Sequence, residues 1–353
     1  MVNQKNIEKY ILSIILTFSA AYLFAEQPKF ELKVLQMNIW QEGTMVPGGF
    51  EAIGNEILDK DPDIVLFSEI RNYNKTDFIQ RIREYLAFKG NTYYGESSGE
   101  SLDVGLISKY PIQTQAPNPE EGHNTGSVLK TKLSIQGQRF IFYSAHLDYT
   151  NYACYLPRGY DGVTWKKMSH PIVDHEVVLA ANKRSKRDEA IRDVIVDMEK
   201  EDKGQIIILG GDFNEPSHLD WTVATKDLFD HGGAVIPWHC SVMLQEGGLM
   251  DSFREFYPNP LTHPGFTYPA YNKDVDIGKL AWAPDADDRD RIDYLYYLPH
   301  KRLQLKDIRI VGPIETVVRA KMQIKDSEDR FILPKAVWPT DHKALLATFV
   351  VYK

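Results

Sequence analysis

Short apolar runs punctuate this chain at residues 32–39, 64–67, 104–107, 129–135, 140–145, 206–209, 294–297 and 345–352. They are rich in Val, Ile, Leu, Phe and Tyr, the pattern of buried strands. Other stretches repeat their apolar residues every three or four positions. Residues 50–58 do so, and residues 77–86 place Phe78, Ile79, Ile82 and Leu86 on one face. Residues 177–198 repeat Leu179, Ala190, Ile191, Val194, Ile195 and Met198. That spacing predicts amphipathic helices. Strands interleaved with helices predict a layered α/β protein. Hydrophobic residues make up 43% and charged residues 25% of the chain, near the globular average, so the pattern can close on a packed core. No Pro/Gly/Ser-rich linker follows residue 26 and no fixed-period repeat is present, so one domain over residues 26–353 is expected.

Residues 1–25 follow a different rule. Lys5 and Lys9 precede an almost wholly apolar run, and Ser19, Ala20, Ala21 and Ala25 place small residues near its end. This is the layout of a secretory signal peptide. An uncleaved anchor is the alternative, since a spanning helix needs about 20 apolar residues. Cleavage would give a secreted or periplasmic protein with no membrane span. Export would let the two cysteines, Cys154 and Cys240, pair, and the sequence leaves bridge and free thiols equally open.

Several strands run straight into polar residues that a strand has no need of. Asn38 follows residues 34–37, Ser68 and Glu69 follow 64–67, and His146 and Asp148 follow 140–145. Gly210 and Gly211 lead into Asp212 and Asn214, Asp293 opens residues 294–297, and Asp341 and His342 precede the last strand. One such residue usually caps a turn. So many together imply a site, because strand ends converge at a sheet edge and ligands bind there in α/β folds. The acids are hard oxygen donors suited to Mg²⁺, Mn²⁺ or Ca²⁺. No Cys/His set has structural zinc spacing.

These residues sit in motifs that resemble the endonuclease/exonuclease/phosphatase superfamily, which includes DNase I, sphingomyelinases and inositol polyphosphate 5-phosphatases. The pieces are Gln36-Met37-Asn38, Ser68-Glu69, Gly105 to Ile112, Ser144 to Asp148, Gly211-Asp212-Phe213-Asn214, Arg291 to Tyr294 and Asp341-His342, in the family's order. The resemblance implies a DNase I-like, four-layered α/β/β/α sandwich with its site at one rim of the two sheets. It implies one or two divalent ions at Glu69, Asn38 and Asp341. Asp212 would activate water, Asn214 would hold a phosphate oxygen, and His342 would face the phosphate, oriented by Asp293. His146 would stabilise or protonate the leaving oxygen. Three positions depart from the family pattern, where Ser68 replaces Gln, Thr340 replaces Ser and Ala344 replaces Pro. None removes a catalytic group.

The substrate is less legible. Residues 149–175 form a long loop carrying Tyr149, Tyr152, Tyr155, Tyr160, Trp165, Arg158, Lys166 and Lys167. Tyr155, Trp165 and Arg158 are its candidate substrate-binding residues, since aromatic rings with scattered cations can stack a base, a sugar or a lipid head group. The alternative is a loop folded on its own aromatic core. Lys183, Arg184, Lys186 and Arg187 could meet phosphates, but such runs are usually solvated faces. The formal charge of -8, one unit more negative after loss of residues 1–25, does not suit a non-specific grip on nucleic acid. A phosphoester hydrolase acting on a sugar- or lipid-linked organophosphate is therefore the leading expectation. An exported nuclease and a non-catalytic binding protein on the same fold are the alternatives. For the leader, N-terminal sequencing of exported protein should begin near Tyr22 or Glu26; an intact Met1 in the membrane fraction would support the anchor instead.

Overall fold

The computed structural model describes residues 29–99, 102–119, 127–324 and 326–353. The expected signal peptide lies outside these residues. No helix among the described residues is long and apolar enough to cross a membrane.

Two six-stranded sheets stack face to face. The first runs in the order β13 (Phe331–Ile332), β10 (Leu303–Val311), β14 (Ala344–Tyr352), β1 (Lys29–Asn38), β2 (Ile64–Ser68) and β3 (Val104–Ser108). The second runs β4 (Ile112–Pro117), β5 (Ser127–Ile135), β6 (Gln138–His146), β7 (Ile206–Asp212), β9 (Asp293–Tyr297) and β8 (Met250–Asp251). A hairpin of β11 (Thr316–Val318) and β12 (Lys321–Gln323) stands apart. Side chains alternate across a strand, and here both faces are apolar. Leu32 and Val34 of β1 join Ile64, Leu66, Phe140, Phe142, Ile206, Ile208 and Leu295 in the core between the sheets. Their neighbours Leu35 and Met37 pack outward against α1 (Gly49–Lys60) and α2 (Phe78–Phe88) through Ile53, Ile57, Phe78 and Ile82. On the other side Ile207 and Leu209 meet α4 (Arg187–Lys200) and α5 (His239–Glu246) through Ile191, Val194 and Leu244. The result is the four-layered α/β/β/α sandwich.

The eight expected strands and the first two helices are present, with bounds moved by a few residues at most. Residues 177–198 differ: they form two helices, α3 (His175–Asn182) and α4, broken at 183–186. The break lets Arg187, wholly buried, turn its guanidinium back onto the Asn182 side chain at 2.7 Å. Strand β10 escaped the sequence reading because a register shift between Leu305 and Asp307 interrupts its alternation. The short helix α6 (Ser252–Phe256) follows β8 directly, with the Asp251 side chain accepting from Phe253 and Arg254 N–H. Cys154 and Cys240 are both buried free thiols.

One glycine sets the approach of β6 to β7. A β-carbon on Gly211 would lie 1.9 Å from the Ala145 carbonyl oxygen. Gly211→Ala must therefore push the two strands apart where both carry rim residues. The expected loss is about 1–3 kcal/mol, the usual cost of overpacking, read as a lower urea midpoint. An unchanged midpoint would mean that the strands can separate freely.

Candidate active site

Strand parity continues from the core into the rim. Residues 32 and 34 of β1 face the other sheet, so Gln36 and Asn38 do too; the same holds for Ser68, His146, Asp212 and Asp293 on their strands. Register then aligns them. Asn38 pairs with Ser68 across β1 and β2, and His146, Asp212 and Asp293 form one rung across β6, β7 and β9. Asp341 and His342 enter just before β14.

Hydrogen bonds tie the two sheets together here. The Asn38 amide donates to Asp212 Oδ2 at 2.9 Å and to Glu69 Oε1 at 3.2 Å, while its carbonyl oxygen accepts from Trp40 N–H at 2.9 Å. Gln36 donates to Asp293 Oδ1 at 2.9 Å. The Ser68 hydroxyl donates to the Ala145 carbonyl at 2.9 Å and accepts from Asp212 N–H at 3.2 Å. Serine, which departs from the family's Gln, thus stitches one sheet to the other. Glu69 itself sits at φ 70, and its Oε2 accepts from Gln41 N–H at 3.0 Å. Asn214, at φ 49, donates to the Leu147 carbonyl at 3.0 Å and caps Asp212 through its N–H at 2.8 Å.

Each histidine has a carboxylate behind its Nδ1 and turns its Nε2 toward Asp212, the Nε2 of His342 also lying 3.4 Å from the Asn38 amide nitrogen. His342 Nδ1 lies 2.8 Å from Asp293 Oδ2, and its Nε2 faces Asp212 Oδ2 at 3.8 Å. His146 Nδ1 lies 2.6 Å from Asp103 Oδ2, and its Nε2 also faces Asp212 Oδ2 at 3.8 Å. Burial opposes a charge on His146, but Asp103, then Asp212 and Glu69, outweigh it and raise the imidazole to about 9. His342 is likewise carried well above its ordinary value, with Asp293 overcoming burial. Burial raises Asp212 to about 6 and Asp341 to about 7. Asp103 moves the other way: burial resists its charge, yet His146, Ser127 and Arg71 hold it well below the usual carboxylate range.

These groups open onto a cleft of about 340 Å³, lined also by Trp40, Arg71, Tyr149, Tyr152, Tyr155, Trp165, Tyr268 and Trp282. A profile of the Endonuclease/Exonuclease/phosphatase family matches residues 35–342. The chain belongs to that family. Uncharacterized protein F14F9.5 of Caenorhabditis elegans is 28% identical to it over 291 residues, 80% of this chain and 84% of that one. The solved structure of D. rerio TDP2 complexed with single strand DNA product has a TM-score of 0.51 at 13% identity, covering 90% of this chain and 98% of that chain. An AP endonuclease from Archaeoglobus fulgidus has a TM-score of 0.48 at 16% identity, covering 91% and 99%. The D. rerio likeness shows a shared fold. As a member of the family, the chain is a metal-dependent phosphoesterase.

The donor chemistry suits that cofactor. Glu69, Asp212 and Asp341 are three carboxylates on one cleft, and Glu69 and Asp212 add to burial in disfavouring the charge on Asp341. A divalent cation would relieve that repulsion, and an oxygen-only set favours a hard ion. Asn38, Glu69 and Asp341 would hold it, and when bound it would supply Lewis-acid charge to the phosphoryl oxygens. Asp212, Asp293 and His342 also bring donor atoms within 4.8 Å of one another, but Asp293 and the His342 Nδ1 are already engaged with each other.

The structure gathers Asn38, Glu69, His146, Asp212, Asn214, Asp293, Asp341 and His342 at one rim. The substrate candidates of the long loop divide. Trp165 is half-buried on the cleft wall. Tyr155 borders the cleft but is 0% exposed, and its hydroxyl donates to Asp288 at 3.1 Å, so it is floor rather than an open recognition surface. Arg158 corrects the expectation outright: its guanidinium is sealed inside against Asp290 and the Arg289 carbonyl, spent on holding the loop. Arg187 of the basic run is also internal, donating to the carbonyls of Asp148, Thr150 and Asn151 behind His146. Asp103 and Arg71 escaped the sequence reading. The signal for Asp103 was available, since it immediately precedes β3, whose start lies at the same rim as the end of antiparallel β2.

Asp103→Asn tests the histidine pair. Without the carboxylate, His146 should fall from about 9 toward the ordinary value of about 6.5. Activity that needs imidazolium should then fade at lower pH, shifting the alkaline limb of the kcat profile toward neutrality. An alkaline limb that stays in place would remove His146 from the proton chemistry.

Proposed function

We propose that this chain is an exported hydrolase of a small, sugar- or lipid-linked organophosphate, in which its own side chains manage the protons of water attack on phosphorus. Asp212, ionised above about pH 6, takes a proton from the attacking water. His342 and Asn214 donate to the nonbridging oxygens as their charge grows. His146, cationic below about pH 9, gives its Nε2 proton to the leaving oxygen as the P–O bond breaks. Base and acid share one end of the cleft, since the Nε2 of each histidine lies 3.8 Å from Asp212 Oδ2. Mg²⁺ or Mn²⁺ is the expected ion.

The observation that carries the substrate class is the cleft lining. Arg71 is the one Lys or Arg that lines the cleft among the described residues, and it already pairs with Asp103 and approaches Glu69 at 3.6 Å. A polymer of phosphates needs a track of cations, and this cleft offers walls of rings instead. The nuclease alternative is kept alive by the DNA product in the D. rerio TDP2 structure, at an identity that speaks for fold alone.

Purified protein should hydrolyse bis-p-nitrophenyl or p-nitrophenyl phosphate with Mg²⁺ or Mn²⁺, lose that activity in EDTA and regain it on adding the ion. Plasmid and RNA should be cut far more slowly than small esters. Preferential cleavage of plasmid or RNA, falling steeply with salt, would replace this reading with the nuclease; full activity after exhaustive chelation would overturn the metal assignment.

A further inference from the structure

Two tryptophans from separate segments meet on the cleft wall. Trp165 comes from the loop after His146, and Trp282 from the stretch before β9; their ring centroids are 5.6 Å apart at 49°. Trp165 is backed from behind. It stacks on Tyr152 at 5.8 Å and meets Tyr155 edge-on at 5.5 Å. Those two tyrosines are themselves buried at 3% and 0% exposure, so the backing is rigid. The outer faces are open: Trp282 is 51% exposed, and Tyr149 across the rim is 59% exposed. Both border the same cleft as His146, Asp212 and His342.

We propose that the Trp165–Trp282 wall is the subsite for the organic part of the substrate, and that it selects phosphate esters whose alcohol carries a ring with an apolar face. This rests on the small-organophosphate reading above. Trp165 is stacked on Tyr152 and meets Trp282 at 49°, so the half-exposed Trp282 beside it offers a ring face as a platform. A platform rewards a flat partner, because aromatic contact depends on face-to-face area. The cleft of about 340 Å³ lies near the lower end of the ~300–1,000 Å³ typical of small-molecule sites, enough for a phosphate and one ring. The catalytic end of the cleft supplies the histidines and carboxylates that engage the phosphate. The wall adds no charge of its own. A sugar ring and a nucleobase share the required chemistry.

The experiment compares glycerol phosphate, a hexose phosphate and a nucleoside monophosphate, each also as its methyl diester, on wild type, Trp282→Ala and Trp282→Phe. Trp282 is half exposed, so its replacement should leave folding intact, which circular dichroism checks. Ring esters should exceed the glycerol ester by about tenfold in kcat/KM on wild type. Trp282→Ala should erase that preference by raising KM about tenfold with kcat nearly unchanged, as loss of uniform binding does, and Trp282→Phe should restore most of it. The better ring ester distinguishes sugar from base. Equal handling of ring and glycerol esters by wild type, or an unchanged preference in Trp282→Ala, overturns the inference. If no ester is turned over, the hydrolase reading fails by itself, and tryptophan fluorescence titration with the same phosphates decides the subsite: ring-selective binding lost in Trp282→Ala supports it, and binding indifferent to the ring or to Trp282 overturns it.

Discussion

A seam of hydrogen bonds joins the two sheets at their rim: Gln36 to Asp293, Asn38 to Asp212, and Ser68 to both Ala145 and the Asp212 backbone. These groups are buried, so water cannot replace a missing partner, and each orphaned group would cost roughly 1–3 kcal/mol. The sheets must therefore stack at one spacing and one lateral offset. Gly210 and Gly211 make that spacing attainable. A β-carbon on Gly210 would press within 2.8 Å of both the Leu66 and the Leu295 side chains, and one on Gly211 would overlap the Ala145 carbonyl.

The same desolvation shapes the chemistry. Asp212 and His146 sit 3.8 Å apart in the rim, and their surroundings push both upward in pKa, to about 6 and about 9. An acid raised to about 6 is a stronger base than an ordinary carboxylate and is still ionised at neutrality. A histidine raised to about 9 is still protonated there. Base and acid forms thus coexist between those two values, the condition for general acid–base work near neutral pH. Asp103 makes this work for His146. Its charge survives burial only because His146, Ser127 and Arg71 surround it, and that charge keeps the imidazole cationic.

The long loop after His146 has two physical parts. Its inner part is a small core in which Tyr152, Tyr155 and Tyr160 pack with Trp221, Ile236 and Trp238. Arg158 and Arg187 are buried inside it or behind it, where they bind backbone carbonyls and, for Arg158, the Asp290 carboxylate. The inner tyrosines Tyr152 and Tyr155 form the cleft floor, and the outer part, Trp165 with Tyr149, forms its wall. The inner core keeps the outer rings in place, so a substrate need not first order a mobile segment.

Alternating apolar strands, interleaved helices and polar strand ends are local properties, and they were legible along the chain. So was the family, because its motifs recur in order. The rim residues Asn38, His146, Asp212 and Asp293 could be named without a structure, since a polar residue closing a buried strand has no packing reason to be there. Which sheet face they occupy became clear only from the core, where strand parity sets them between the sheets. Partnership was not legible. Asp103 stands behind His146 only because antiparallel β3 starts where β2 ends, and Arg71 joins it from a neighbouring turn. Tyr155, Arg158 and Trp165 belong to one loop with similar composition, yet one became floor, one became a buried clamp and one became wall. That division depends on contacts with residues up to 133 positions away, such as Tyr155 with Asp288. No local spacing encodes such distant contacts, because burial is decided by what the rest of the chain brings to the other side.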